Sequence, residues 1–540
     1  MKYPINARYF PGPCHEDDSR MIPLLDGEEY FWAVRMEIGK TQGPGDAIYM
    51  LGWRFESTFR FNTDSNDPSE LGAVLANKAA AGVDVRIIMP TKWQLLYLLE
   101  DKTEAELRNE NGSNFRDQLD RFGPHGNMLH ADLLRKQQVP GGSSPLAGRI
   151  LLDYSGEVTG THHQKMVLVS RGQSAVGFIA GIDFLQDRLD NARHDSPLPR
   201  PNPARKVDEQ THKNAFPYYW HDAGARLEGP VVGELFFYFR ARRDACSLFR
   251  DRHFQLKDGT AIPSLNPTND WTELRSPQKT PLTSPPQKGV FLAANLPDYD
   301  VGGDSPIFHQ PNPLLRLNPF KGKPVHTTGE LYQKAINASK KYVYIEDQYF
   351  SAPSLHNVLL GAAQRGIKII AVLGGFDDDT QNAVDPKVTD PTTLKLLGDL
   401  GSAAENIAIL HVKNTVIHSK LMLVDDEFVV IGSSNFHDRS LTDAEDASEL
   451  AERLRAVGQS KSTDSELSVA AVDDRADSSN FVVRLRIRLW AEHLRVDEWE
   501  PLVRKELSNL STGLSIFRTS WGKAVSFDHG NTRFIPVLTK

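Results

Sequence analysis

One hairpin occurs twice in this chain. Residues 161–184 read THHQKMVLVSRGQSAVGFIAGIDF, and residues 415–441 read TVIHSKLMLVDDEFVVIGSSNFHDRSL. Each opens with a histidine and a lysine two positions apart, His163 with Lys165 and His418 with Lys420. An apolar run, a polar turn and a second apolar run follow, and then a small-residue segment: Ala180-Gly181-Ile182-Asp183 in the first copy, Gly432-Ser433-Ser434-Asn435 in the second. Strand side chains alternate with a period of two, so each His-Lys pair is predicted to face one way. A chain that carries this unit twice, with its histidines 255 positions apart, is constrained to fold as two copies of one architecture.

The text ahead of each hairpin repeats as well. In the first copy AIYMLGWRF (47–55) reads as a strand. A helix with Leu71, Val74, Leu75 and Ala79 on one face follows, ended by Gly82, and VDVRIIMP (83–90) reads as the next strand. In the second copy KYVYIEDQYF (341–350), a helix with Leu355, Val358, Leu359 and Ala362, and IKIIAVLGG (367–375) take the same order. Such β-α-β units imply parallel strands joined by right-handed crossovers. The expected fold is therefore α/β: two pseudo-symmetric α-β-α sandwich domains with mixed, mainly parallel sheets. From helix-ending glycine to motif histidine is 81 residues in the first copy (Gly82 to His163) and 52 in the second (Gly366 to His418), so the first has gained a segment of 29, placed mostly within 91–147. Residues 255–326 are rich in proline and polar residues and read as a connecting region. This gives an N-terminal half over 1–254 and a C-terminal half over 327–540.

The balance of 62 Lys and Arg against 70 Asp and Glu, a formal charge of −8, argues against an enzyme that grips nucleic acid over many phosphates. Two cysteines, Cys14 and Cys246, imply no disulfide framework. No run approaches the ~18 apolar residues of a membrane span, and the N-terminus lacks a secretory pattern. The expectation is a cytoplasmic protein, or one exported without a signal peptide. Residues 191–220 mix Arg193, Arg200, Arg205, Lys206 and Lys213 with Phe216, Tyr218, Tyr219 and Trp220, a composition suited to an anionic or interfacial surface or to a loop whose aromatics dock into the core.

The pattern His-x-Lys, four residues, then Asp, present twice with a small-residue loop behind it, resembles the phospholipase D superfamily. His418, Lys420 and Asp425 match in full, whereas Ser170 holds the aspartate position of the first copy. Further likeness lies in WHD followed by GPVV (220–232), YIEDQYF (344–350), NFHDRSL (435–441) and RLRIRLWAEHL (484–494), which is closer to the phosphatidylcholine-hydrolysing members than to short single-motif nucleases. Two departures are Gly224, where that group often has a second histidine, and Glu346-Asp347 in place of Glu-Asn.

The resemblance implies cleavage of a phosphodiester with two imidazoles and two lysines, chemistry that requires no metal or cofactor. One imidazole attacks phosphorus and the other gives a proton to the leaving oxygen, while the lysines hold the phosphate. His163 is assigned as nucleophile and His418 as general acid, then base; the reverse assignment stays open. Asp222 and Glu466 are expected to orient His163 and His418 respectively. Asn435 and Ser433 are expected on the phosphate side. Asp183, which as a carboxylate can only accept, is expected to orient a neighbour, and Asp425 and Ser170 are structural members of the motif. The implied activity is a phospholipase D at a membrane surface, acting as a peripheral protein. It would hydrolyse the distal phosphodiester of a glycerophospholipid to phosphatidic acid and a free alcohol, with head-group exchange when another alcohol replaces water. Alternatives are a phosphodiesterase or nuclease of the same superfamily, a phosphatidyl transferase, and a degenerate lipid-binding protein. The compact build, with little sequence ahead of the first unit for a separate lipid-binding domain, suits a bacterial phospholipase.

Overall fold

The computed structural model describes residues 8–61, 70–90, 126–153, 161–194, 219–249, 271–296, 325–374, 395–442 and 463–494, apart from a few positions inside these spans, with short pieces after 500. Two mixed sheets carry the chain. The first contains β1 (Arg20–Leu25), β2 (Ala47–Leu51), β3 (Asp84–Pro90), β4 (Ile150–Asp153), β5 (Met166–Arg171), β6 (Ser174–Ala180) and, after a short β7 (Tyr219–His221), β8 (Ala223–Glu228), in the order β1-β8-β6-β5-β2-β3-β4. The second contains β9 (Gly289–Leu296), β10 (Val325–His326), β11 (Tyr342–Asp347), β12 (Lys368–Gly374) and β13 (Ile407–Val412). After a short β14 (Thr415–Ile417) it continues with β15 (Leu421–Val424), β16 (Phe428–Gly432), β17 (Glu466–Val472), β18 (Ser526–Phe527) and β19 (Thr532–Pro536). Its order is β10-β9-β17-β16-β15-β11-β12-β13-β19-β18.

Laid side by side, β8-β6-β5-β2-β3-β4 and β17-β16-β15-β11-β12-β13 are the same six-strand arrangement, which is the repeat expected from the hairpins. The parallel order expected of the β-α-β units holds for β2-β3-β4 and β11-β12-β13, and the motif hairpins and their outer neighbours add antiparallel ladders. Helices α1 (Asp26–Gly39) and α2 (Leu71–Ala80) cover one face of the first sheet, with α3 (Gly126–Lys136) in the insertion. Helix α4 (Val231–Phe249) follows β8. Helices α5 (Thr327–Ala338) and α6 (Pro353–Gln364) cover the outer face of the second sheet. A short α7 (Asp438–Leu441) follows the second hairpin, and α8 (Phe481–Leu494) follows β17.

The largest apolar core lies between the sheets. It joins Leu168 and Ile179 of the first to Leu421, Leu423 and Val429 of the second through Leu235 and Phe239 of α4 and Leu485 and Trp490 of α8. Burial of this shared layer removes apolar surface from water in both halves at once. Gly82 and Gly366, at φ +93° and +82°, end α2 and α6 in the left-handed conformation that closes a helix without a Cβ clash.

Two features depart from the reading of the sequence. Gly289–Leu296, inside the proline-rich stretch, is a buried strand of the second sheet, paired with β17 along its whole length. Composition averaged over 72 positions (255–326) hid an eight-residue strand with six apolar side chains. Ahead of the first anticipated strand, β1 pairs with β8 and α1 packs beneath it. Residues 443–462, and Arg200, Arg205, Lys206, Lys213, Phe216 and Tyr218 of the basic and aromatic segment, lie outside the described residues.

Asp425 explains the aspartate of the motif. Its carboxylate accepts from the backbone N–H groups of Lys340 (2.7 Å), Lys341 (2.7 Å) and Tyr342 (3.1 Å), and pairs with Arg8 at 3.0 Å. It therefore fastens the start of β11 to the end of β15. In the first copy Ser170 is buried opposite Ala47, and a carboxylate comes from the residue just ahead of β2: Asp46 accepts from Gly172 N at 3.1 Å and Gln42 N at 2.7 Å. Asp425→Ala is expected to cost about 1–3 kcal/mol in denaturant unfolding because one buried and two partly buried backbone donors lose their acceptor, and Ser170→Ala less than about 1 kcal/mol.

Candidate active site

The two halves are laced together beside the His-Lys pairs. β14 runs parallel to β7, with Thr415, Val416 and Ile417 opposite Tyr219, Trp220 and His221, and His418 N then donates to His221 O at 2.8 Å. The first copy does the same: His162 bridges Ser465, Ser465 N donates to Thr161 O at 2.8 Å, and His163 N donates to Ser465 O at 2.9 Å. Each motif histidine therefore lies against the acid-bearing strand of the opposite half.

This crossing overturns the expected pairing of acids. His163 Nδ1 lies 3.0 Å from Glu466 Oε1, and His418 Nδ1 lies 2.6 Å from Asp222 Oδ2. Both acids are as anticipated, but exchanged. Nearness in sequence had assigned each acid to its own half, whereas a ladder between halves decides the partner. With both Nδ1 atoms committed, Nε2 is the nitrogen each ring can turn to a reacting group.

Both lysines are buried, and each donates its ammonium to the carbonyl of its own motif histidine, Lys165 Nζ to His163 O at 2.9 Å and Lys420 Nζ to His418 O. Asp183 stands 3.6 Å from Lys165 Nζ and accepts from Arg54 N at 3.0 Å. Burial holds the His163 and His418 imidazoles well below their ordinary pKa, and the two lysines push in the same direction. Lys165, Lys420 and His163 all act on His418, so the two motifs form one electrostatic unit. Burial lowers Lys420 to about 8 and raises Asp222 to about 6. Glu466 is raised by burial and then by Asp464, against the hydroxyl donors that favour its charged form.

Ser433 was assigned to the substrate side. Its hydroxyl instead donates to Glu466 Oε2, and Ser440 Oγ donates to Glu466 Oε1 at 2.6 Å, so both serines hold the acid that holds His163. Asn435 is buried with its amide oxygen lacking a hydrogen-bond partner among the described residues. Its loop is fixed from behind by Asp347, which accepts from Phe436 N at 2.9 Å and Tyr349 N at 2.8 Å. The Glu-Asp departure thus has a local use for its aspartate.

Three residues were not singled out as site residues. The Trp220 ring meets His418 edge-on at 5.4 Å, and the Trp53 ring meets His163 edge-on at 6.0 Å with Lys165 Nζ 5.8 Å from its centre. Arg188 stacks on Trp220 at 3.2 Å and adds positive charge beside His418 and Asp222. Trp220 sits in a motif that was read. Trp53 and Arg188 follow no spacing that marks them.

Gly181 lines the site at close range. A Cβ there would stand 2.5 Å from Asp222 Oδ1 and 3.0 Å from Lys420 Cδ. Its counterpart in the second copy is Ser433, so one half uses a side chain where the other needs none. Gly181→Ala is expected to displace the Asp222–His418 pair, lowering turnover at least about tenfold while costing about 1–3 kcal/mol of stability, measured by kinetics beside thermal unfolding.

A family model described as Phospholipase D matches residues 43–358, more than half of the chain, and one described as Cardiolipin synthase, PLD-like domain, matches residues 332–457. The chain belongs to the phospholipase D family. Among curated relatives, the phospholipase D alpha 1 of Oryza sativa subsp. japonica is 23% identical over 531 residues, covering 79% of this chain and 61% of its own. That of Arabidopsis thaliana is 23% identical over 505 residues, covering 74% and 57%. The chain thus spans about three-fifths of the length of these relatives. Among solved structures, a phosphatidylserine synthase from Haemophilus influenzae Rd KW20 aligns over 95% of this chain and 96% of its own, with TM-score 0.47 and 12% identity. Among the described residues of this phospholipase D family member, no helix is long and apolar enough to cross a membrane.

Proposed function

We propose that this protein is a phospholipase D that hydrolyses the distal phosphodiester of glycerophospholipids through a phosphohistidine. The observation that carries the reading is the crossed pair of carboxylate-fixed imidazoles, each flanked by a buried lysine. His163 Nε2 attacks phosphorus, forming the P–N bond as the P–O bond to the head group breaks. His418 gives its proton to the departing oxygen. It then takes a proton from water, whose oxygen attacks phosphorus, breaks the P–N bond and releases phosphatidic acid. Lys165, Lys420 and the Asn435 amide stabilise charge on the phosphoryl oxygens. Burial, and then the Lys420, Arg188 and Lys165 charges, depress His418 in the free site; a bound phosphodiester anion offsets those charges, which favours the protonated imidazole when a leaving group is present.

Action at a membrane surface as a peripheral protein, and a cytoplasmic or signal-independent exported location, belong to the same reading. The match to a cardiolipin synthase-type model over the second copy favours one variant, transfer of the phosphatidyl group to an alcohol through the same intermediate. The test is head-group release from mixed phospholipid vesicles, with and without an added primary alcohol. Release that disappears in both His163→Ala and His418→Ala supports the phospholipase. A phosphatidyl alcohol as main product supports transfer. No release, with cleavage of DNA or of a simple diester, rejects the lipid reading.

A pH effect on binding is also expected. Lys420 is cationic below about 8 and neutral above it. Binding of a short-chain phosphatidylcholine to His163→Ala protein should be constant below that pH and weaken as pH rises through it, by up to about tenfold per unit. Calorimetric titration should show the decline in this background and its absence when Lys420→Arg is added, since arginine stays charged.

A further inference from the structure

Directly beneath Asp222 lies a buried group of polar side chains that the proposed chemistry does not touch. Asp26 opens α1, His194 follows the turn after β6, His221 ends β7, and Glu492 lies on α8. Four segments distant in sequence meet there. The ligand-capable atoms of His194, His221 and Glu492 all lie within 4.8 Å of one another. His221 Nδ1 is 2.5 Å from Glu492 Oε1 and 3.1 Å from Asp26 Oδ1, and His194 Nε2 is 3.4 Å from Glu492 Oε1.

The far side of each ring is already taken. His221 Nε2 lies 2.9 Å from Glu346 Oε2, and His194 Nδ1 lies 2.9 Å from Asp190 Oδ2. Glu346 also accepts from Ser419 Oγ at 2.9 Å and meets His493 Nε2 at 2.9 Å, so it is a saturated anchor. With an N–H donated outward to a carboxylate, each imidazole turns its other nitrogen inward, toward carboxylate oxygens. Carboxylate-backed histidines of this kind are the usual outer support of metal ligands. The inward atoms look only toward one another: His221 Nδ1 and Glu492 Oε1 meet members of this group and no hydrogen-bond partner outside it among the described residues, and Asp26 Oδ2 is buried with no hydrogen-bond partner there. Asp26 and His194 are held at φ +58° and +50°, a left-handed backbone uncommon for such residues.

We infer that His194, His221, Asp26 and Glu492 form a structural site for a divalent transition metal of the zinc class. The two imidazole nitrogens and the Glu492 oxygen are already grouped within 4.8 Å of one another, and Asp26, 3.1 Å from His221 Nδ1 but outside that group, would move in as the fourth ligand of a tetrahedral set whose two carboxylate charges match a divalent cation. Ligands about 2.0–2.1 Å from zinc stand about 3.3 Å from each other, so the 3.1 and 3.4 Å separations fit and the 2.5 Å contact opens on binding. The ion would tie α1, β7 and α8 together behind the acid that orients His418. Asp26 N already donates to Asp222 O at 2.8 Å, and His221 O accepts from His418 N at 2.8 Å. The ion touches no reacting atom, so this site stands apart from the proposed reaction.

The competing content of the pocket is protons, with both rings as imidazolium. The full chain, purified without chelator, is assayed by elemental mass spectrometry and expected to carry about one zinc-class ion per chain. Cobalt(II) exchanged into the same protein should give the intense visible bands of a tetrahedral site. Stripping with a strong chelator should lower Tm, and zinc but not magnesium should restore it. Glu492→Gln and His194→Ala, each checked for folding by circular dichroism, should lose the ion. Wild-type protein that holds no metal as purified and after zinc is supplied overturns the inference, as does an unchanged metal content in folded Glu492→Gln.

Discussion

Phosphohistidine is expected to accumulate in His418→Ala protein and to be absent from His163→Ala protein. The argument runs through the leaving group. A p-nitrophenyl phosphodiester departs without a proton, so loss of the general acid leaves the first displacement fast. The second displacement still needs a base to take a proton from water, and that base is gone. His418→Ala should therefore release about one equivalent of p-nitrophenol per chain and then slow by about 10²–10⁴-fold, while retaining an acid-labile phosphorus label on His163. His163→Ala should show neither burst nor label. With a choline head group, a poor leaving group, both variants should be silent. Label found in His163→Ala and not in His418→Ala would exchange the two roles, which the near-equivalence of the halves leaves chemically sound.

The repeat made much of this structure readable. The two hairpins announce themselves by a chemical pair, His-x-Lys, set at the head of strands whose alternation is strict, and the β-α-β text ahead of each is ordinary helical and strand periodicity. From these came the two sheets and the facing His-Lys pairs, while the two acids were read from the family resemblance. What stayed hidden depends on pairing between distant segments. β9 is eight residues inside a proline-rich stretch, and only its ladder with β17 shows that it belongs to a core. Asp26 and His194 carry no spacing relative to His221, because they meet it through tertiary packing of a helix start and a turn. Ser433 was read by its place in a polar loop, yet the direction of its hydroxyl is set by Glu466 on the neighbouring strand.

Burial gives the site its electrical character. Two imidazoles, two ammonium groups and two carboxylates lie in a region nearly closed to water, where desolvation pushes the histidines and Lys420 down and the carboxylates up. The two imidazoles, Lys420 and the two carboxylates are thereby each pushed toward the neutral form in the absence of a bound anion. In the proposed reaction a phosphodiester would supply the missing negative charge between the lysines, so that binding itself would set the protonation the chemistry needs.

The crossed acids give the second large effect, and one that separates the two steps. Asp222→Asn leaves a group of the same shape beside His418 but can present an N–H where the ring needs an acceptor. The ring then tends to turn its lone pair inward and its proton toward substrate; in a serine protease an inversion of this kind costs about 10⁴-fold. Because Asp222 serves His418, Asp222→Asn should behave like a mild His418 variant: with the p-nitrophenyl substrate the burst survives and the label accumulates. Glu466→Gln should behave like a His163 variant, with slow or absent burst and little label, since the nucleophile has lost its support. Had each acid served the histidine of its own half, the two phenotypes would be exchanged. Burst kinetics of the two single variants therefore read the crossing of the chain directly, and a burst lost in Asp222→Asn but kept in Glu466→Gln would reject either the crossing or the assignment of His163, with the label in His418→Ala deciding which.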